Sequence, residues 1–356
     1  VKLAATILVM GFATIVFLSS VRAEGLDLNL NSRLDVIDAK AGSLLRPYLK
    51  TQLNYRRQTV GIFLEAYIDE DLNDNFDQIR RDERAPVLQE AYLDLSFQEN
   101  LYLKIGRQSA RWSESWLVPS LDIWTGRRWN RAFIDPLPDQ LIHSDAISTT
   151  IVHGDLQVDL MYSWNGADSI YPAPFSKYIG TRRSGEGGMR LKYSISPLVL
   201  TFVAAQLEEQ DLLMGGAASY AAENWVYKWE GGHGSENLWF QSLGADGFFG
   251  DFTITPQVMT FELEDPTRPE REIDVAIYLS ATYTFANWTF EAQGFRSQPS
   301  KDIFVSSTVG YSLNDWLKVS AFVQDYSSLY VNRLFSIYEE AYGTVLGTRI
   351  EGTFVF

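Results

Sequence analysis

Apolar and polar residues alternate along most of this chain with a repeat of two. In 26–36, Leu26, Leu28, Leu30, Leu34 and Val36 share one face, and Asp27, Asn29, Asn31, Arg33 and Asp35 share the other. Leu49, Thr51, Leu53 and Tyr55 likewise oppose Lys50, Gln52, Asn54 and Arg56. Val60, Ile62, Leu64, Ala66 and Ile68 oppose Gly61, Phe63, Glu65, Tyr67 and Asp69. Near the end, Leu317, Val319, Ala321 and Val323 oppose Lys318, Ser320, Phe322 and Gln324. A period of two marks a strand with one apolar and one polar face. These runs exceed the about five or six residues usual in soluble sheets and suit the roughly 9–11 residues a tilted strand needs to cross a bilayer.

The pattern predicts strands at 26–37, 45–57, 59–71, 87–98, 101–111, 146–153, 156–164, 187–195, 198–209, 236–246, 248–263, 271–285, 287–297, 302–313, 316–328 and 342–356. Even-numbered strands lead onward through tight turns at Gln58, Glu99-Asn100, Gly154-Asp155, Ser196-Pro197, Gly247, Ala286 and Asn314-Asp315. Odd-numbered strands lead into the longer connections 72–86, 112–145, 165–186, 210–235, 264–270 and 329–341, with 38–44 and 298–301 short. Loop length sorted by parity puts turns on one rim and loops on the other, the outer-membrane barrel pattern. The expected fold is all-β, a transmembrane antiparallel β-barrel of about 16 strands (roughly 14–18). Closure follows because hydrocarbon leaves no partner for the unpaired edges of an open sheet. Segment 210–250 is ambiguous, since Tyr220–Trp229 also reads as a strand.

Residues 1–23 read differently. Lys2 is followed by the uncharged, almost wholly apolar Leu3–Leu18 and then by Val21-Arg22-Ala23, a small-x-small cleavage pattern. The expectation is an export signal over 1–23 and a single barrel domain over 24–356. A membrane anchor is the other reading. It suits the stretch less, which is short for a roughly 30 Å hydrocarbon core and has no basic cluster after it.

Composition narrows the function. The formal charge is −15, and losing Lys2 and Arg22 would make it −17, which argues against nucleic acid as a partner. There is no cysteine and there are three histidines, so thiolate chemistry is excluded and a multi-histidine metal site is not expected. No cofactor and no metal are expected. Aromatic residues make up 14 % of the chain, far above a disordered composition.

In the last predicted strand, Tyr342, Leu346, Ile350, Phe354 and the final Phe356 lie on one face, with Arg349, Glu351 and Thr353 on the other. Here the chain resembles bacterial outer-membrane porins, whose last strand ends in Phe after alternating apolar residues. The resemblance implies that Phe354 and Phe356 form an assembly signal read by the barrel-assembly machinery. It also implies a Gram-negative outer membrane, contact with its lipid and lipopolysaccharide, and a homotrimer as the common porin state. The function implied is passive passage of small hydrophilic solutes, with no enzymatic step. Ile105-Gly106-Arg107-Gln108 is similar to a segment of alginate-export porins. A plugged scaffold barrel and a polysaccharide-export channel are the alternatives.

The longest loop, 112–145, carries Trp112, Trp116, Trp124, Trp129 and Phe133. So many rings call for burial, and the barrel wall is the nearest surface. By the same resemblance this loop enters the bore, with Arg111, Glu114, Arg127, Arg128, Arg131 and Asp135 as constriction residues. An external lid facing lipopolysaccharide is the other reading. Parity assigns Arg33, Lys50, Arg56, Glu65, Asp69, Glu90, Asp94, Lys104, Lys318 and Arg349 to the lumen wall. Basic residues of the first two and last two strands would face an acidic wall of strands three and four and set a field across the pore. Arg107 falls on the lipid side by parity, so either a bulge after Gly106 turns it inward or it snorkels.

Other constellations carry less. Asp69–Asp82 and Glu262–Asp274 lack the glycine spacing of a calcium loop. His143, His153 and His233 do not assemble with a serine and a carboxylate into a hydrolase site. Gly185–Gly188 lacks the strand–loop–helix setting of a phosphate loop. Glu236–Ser242 resembles a protease recognition sequence by chance.

Overall fold

The computed structural model describes residues 25–39, 42–69, 87–97, 99–113, 121, 126–127, 141–165, 186–206, 212–233, 239–263, 272–298, 302–327 and 343–355. The strands are β1 (Leu26–Ala39), β2 (Gly42–Arg57), β3 (Val60–Asp69), β4 (Val87–Phe97), β5 (Leu101–Gln108), β6 (Gly126–Arg127), β7 (Leu141–Ile142), β8 (Ser144–His153), β9 (Leu156–Asn165) and β10 (Glu186–Ile195). They continue as β11 (Leu198–Gln206), β12 (Leu212–Ala222), β13 (Trp225–His233), β14 (Trp239–Phe249), β15 (Phe252–Leu263), β16 (Glu272–Phe285), β17 (Trp288–Gln298), β18 (Ile303–Asn314), β19 (Leu317–Ser327) and β20 (Thr344–Val355).

Among the described residues, all strands except β6 and β7 form one 18-stranded sheet. Each pairs antiparallel with the next in sequence, β5 passing to β8. The ring closes where β20 pairs with β1, Leu34 opposite Ile350 and Asp35 opposite Arg349. β6 and β7 make a separate two-stranded ribbon inside the 109–143 connection. The closed antiparallel barrel is the expected fold.

The strand count exceeds the central expectation of about 16, and the excess has one source. The long connection expected at 210–235 is the hairpin β12–β13, turning at Glu223-Asn224 with Glu223 at φ 47°. Gly215, Gly216, Ala217 and Ala218 give β12 no contrast between faces, so alternation is invisible there. The turn expected at Gly247 lies at Gly250-Asp251, where Gly250 takes φ 62°. Asn314 stays in β18, so that turn falls one residue later.

The two faces separate as the alternation requires. Leu64, Leu160, Leu200, Ile277, Val319 and Ile350 are exposed on the outside, where lipid would cover them. Glu65, Asp159, Gln257, Ser306, Ser320 and Gln324 are buried on the inner side. Near the short turns the outer face carries an aromatic girdle. Trp225 packs edge-on to Phe249 at 5.4 Å, Trp288 meets Tyr311 at 4.7 Å, and Phe354 stacks on Trp316 at 5.6 Å. Aromatic rings suit the headgroup level because they pair an apolar body with a polar tip.

Candidate functional site

The inner wall of β19, β20 and β1 to β4 is heavily charged, and its charges are organised around two carboxylates. Asp35 on β1 is fully buried. Arg349 on β20 donates to it from Nε at 2.7 Å and from Nη2 at 3.3 Å. Arg33 Nε lies 3.2 Å from Asp35, and Arg46 Nη1 lies 3.9 Å away on β2. Arg33 also stands over Tyr48, 4.4 Å from the ring centre, and Arg349 over Phe322 at 5.5 Å. The second carboxylate is Glu65 on β3, which receives Lys50 Nζ at 2.8 Å and the Gln52 amide. Buried charges persist only when paired in this way, because desolvation costs several kcal/mol per ion.

The strand register puts Arg56, Glu90, Asp94, Lys104 and Lys318 on the same face as these residues. Arg56 donates to Ser96 at 3.2 Å, and Lys104 lies 4.8 Å from the Tyr92 ring centre, which itself stacks on Phe63. Lys318 lies across Gly310, where a Cβ would come within 2.6 Å of its Cε. Asp94 is flanked by Gly61 and Lys104 in the ladder. The side chain of Asp69 lies outside the described residues. Basic and acidic strips are neighbours and not opposite walls, because β2 pairs directly with β3 and sets Gln52 against Glu65.

The opposite sector of the wall has another character. On β8, β9, β11 and β12 the inward positions include Ala146, Met161, Val203, Ala205, Leu213 and Ala217, all buried and apolar. Two residues of the connection between β5 and β8 cover them. Trp112 is 5 % exposed and Leu121 is 0 % exposed, and both belong to this one cluster, with Ala110 and Phe240 at its edge.

Polar contacts fix the same segment. The Ser113 hydroxyl lies 2.7 and 2.8 Å from the two oxygens of Glu230 on β13. Arg190 on β10 donates from Nη1 to the Arg111 carbonyl at 3.3 Å, stands 5.7 Å over Trp112, and pairs with Asp159 at 2.8 Å. At the root of the connection, Glu90 on β4 holds both ends. It accepts from the Ser109 hydroxyl at 2.8 Å and lies 3.3 Å from His143 Nε2.

Reach decides the path of this segment. Six strand spacings separate β5 from β13, about 29 Å along the wall. From Gln108 to Ser113 the chain spans roughly 17 Å at full extension. With the Ser113 and Glu230 side chains supplying the remaining reach, residues 109–113 cut inside this arc as a chord over the apolar sector, with Trp112 packed on it. The sector behind them is packed with the apolar cluster, and the charged arc lies on the other side.

Comparison with solved structures places this geometry. Acinetobacter baumannii OccAB3 superposes with a TM-score of 0.63 at 13 % identity, covering 93 % of this chain and 99 % of that one. The outer membrane protein OpdK of Pseudomonas aeruginosa gives 0.63 at 10 % identity, over 94 % and 100 % of the two chains. Pseudomonas aeruginosa OccK2 (OpdF) gives 0.63 at 10 %, over 93 % and 97 %. The fold is that of the outer-membrane porins. No protein-family model and no curated protein matches the sequence. The alginate-export resemblance of Ile105–Gln108 finds no support in these structural likenesses.

Within this porin fold, some expected residues are placed and others are not. Arg111 contributes its backbone carbonyl. Glu114, Arg128, Arg131, Asp135 and Phe356 lie outside the described residues, as does the side chain of Arg127. Arg107 stays on the outer face. It grips Asp145 at 2.8 and 3.1 Å and donates to the Leu88 carbonyl at 3.2 Å, so pairing takes the place of an inward bulge. Sequence reasoning missed Arg46, Arg190, Asp159, Glu230 and Ser113. Parity already faced Arg46 inward, one position into its predicted strand. Glu230 fell in the segment whose strand assignment was ambiguous, and nothing in the loop's sequence marked Ser113 as its partner.

Proposed function

We propose that this chain is an outer-membrane channel that passes small hydrophilic solutes by diffusion, narrowed by the 112–145 loop. The observation that supports it most is the chord at 109–113, which packs one sector of the bore and leaves the charged arc as the wall of the remaining path. No bond is made or broken in this function, so no catalytic residue and no cofactor is called for. Asp35 with Arg33, Arg46 and Arg349 sums to +3 − 1 = +2, which favours anions at that height of the path. Arg127, Arg128 and Arg131 would add to that preference from the loop.

The surroundings form part of the same reading. Residues 1–23 direct export, and the mature barrel 24–356 sits among outer-membrane lipid and lipopolysaccharide. The barrel-assembly machinery recognises Phe354 and Phe356, and the working unit is a homotrimer. Planar bilayers test the channel directly. The folded protein should give discrete conductance steps, and the triple change Arg127→Ser, Arg128→Ser, Arg131→Ser should move its reversal potential toward cations. A heat-modifiable barrel that carries no current would refute the channel reading.

A further inference from the structure

Leu121 seats on the inner wall only because the residue beneath it has no side chain. Gly215 on β12 faces the bore, and a Cβ there would lie 2.6 Å from Leu121 Cδ2. The backbone does not require glycine. Gly215 lies within an ordinary strand, in register with Val203 and Gly232, and its φ is not in the left-handed region. Its immediate neighbour Gly216 faces outward, where a Cβ would meet the Thr201 carbonyl and nothing of the loop. The approach of Leu121 is thus a demand specific to position 215. Ala217 and Ala205 extend the same shallow socket on either side, both buried and both in the cluster with Leu121.

The geometry points to Gly215 as the residue that sets how deeply the crossing segment seats, and hence the width of the path beside the charged arc. This rests on the channel reading above. A side chain at 215 pushes Leu121 off the wall and toward the bore. The chord moves with it, because Trp112 shares one buried cluster with Leu121. The position therefore determines which solutes pass by size, without touching any of them.

The contact can be inverted. Gly215→Val adds three carbons to the wall, and Leu121→Ala removes three from the loop. The double variant returns the volume to the same place from the other side. The Gly231 carbonyl, 3.0 Å from the Cβ position, and Gly232 Cα at 3.4 Å press on the new side chain equally in single and double variants. Comparing the two isolates the Leu121 contact from any strain in the sheet. Ser219→Val, on the same strand and face but nearer the turn, is the control.

The experiment is single-channel recording and liposome swelling with sugars of rising size, on protein shown to be folded by its heat-modifiable mobility. Gly215→Val should lower conductance by about twofold and reduce the size limit, as a narrower constriction does. The Gly215→Val/Leu121→Ala double variant should return close to the parent, and Ser219→Val should match it. If Gly215→Val conducts like the parent, or the double variant is no nearer the parent than the single, the proposal is overturned. The chain has no cysteine, so Leu121→Cys with Gly215→Cys gives a second reading that needs no current. An oxidative cross-link in membranes is expected, and its absence overturns the seat. If the parent cannot conduct while the cross-link forms, the channel reading has failed and the role in width falls with it, whereas the docking stands.

Discussion

Replacing Asp35 by Asn is the change the inner wall should feel most. The carboxylate is fully buried, with Arg349 at 2.7 and 3.3 Å, Arg33 at 3.2 Å and Arg46 at 3.9 Å. Asn keeps the shape and removes the charge, so the four side chains pass from +2 to +3 in a low-dielectric site. Unit charges about 4 Å apart attract by roughly 4 kcal/mol at an effective dielectric of about 20. Desolvation of Asp35 already offsets part of that attraction, and breaking one side of a buried pair costs about 3–5 kcal/mol in practice. The guanidiniums have little freedom to retreat, since Arg33 and Arg349 are stacked on Tyr48 and Phe322. We therefore expect Asp35→Asn to lower the unfolding free energy by about 3–5 kcal/mol, read by tryptophan fluorescence during urea titration in lipid vesicles. The reversal potential in a salt gradient should move further toward anions. A loss below about 0.5 kcal/mol, within the range of ordinary surface changes, together with an unmoved reversal potential, would show that Asp35 does not hold this cluster.

Leu64→Arg, Val319→Arg or Ile350→Arg should each cost about 2–4 kcal/mol if near the bilayer midplane, and Gln52→Arg or Ser320→Arg much less; equal costs on both faces in the same urea titration would refute the facing. Deleting Phe356 should reduce the amount of folded, heat-modifiable barrel in the outer membrane without altering the conductance of what does fold, and normal yields would remove the assembly role. Ser113→Ala takes away both contacts to the Glu230 carboxylate and should cost about 1.5–3 kcal/mol, the range for hydrogen bonds to a charged group. It should also make the open-channel current noisier, and a current as quiet as the parent's would mean that Ser113 does not hold the chord.

The fold was legible because alternation does not depend on knowing which strands pair. Val60–Asp69, Leu101–Gln108 and Leu156–Asn165 fall on the predicted runs to within a few residues at their ends. The reading failed where glycine serves space rather than turning. Gly247 looked like a turn but lies within β14, where a Cβ would strike the Trp225 ring at 2.8 Å. The real turn between β12 and β13 uses Glu223 at φ 47°, a residue type with no turn signature.

The site was legible in part, and the missing part has a physical cause. Parity put Arg33, Lys50, Glu65 and Arg349 on one face, but it carries no information on partners. Asp35 and Arg349 are 314 positions apart in sequence and meet only because the barrel closes. Ser113 and Glu230 are 117 apart and meet only because the loop crosses. The loop's own sequence could not decide between lid and chord, since its aromatic rings demand burial in either place. The wall could have decided it. Charged inner positions such as those of β1 to β3 are satisfied by pairing with one another, whereas an apolar patch left to the water of a bore costs roughly 25 cal/mol per Å². The inward positions of β11 and β12 include Val203, Ala205, Leu213 and Ala217, a patch that needs a cover from within. Inner-face hydrophobicity, strand by strand, therefore marks the sector on which a loop docks, provided that the strands carrying it are recognised first.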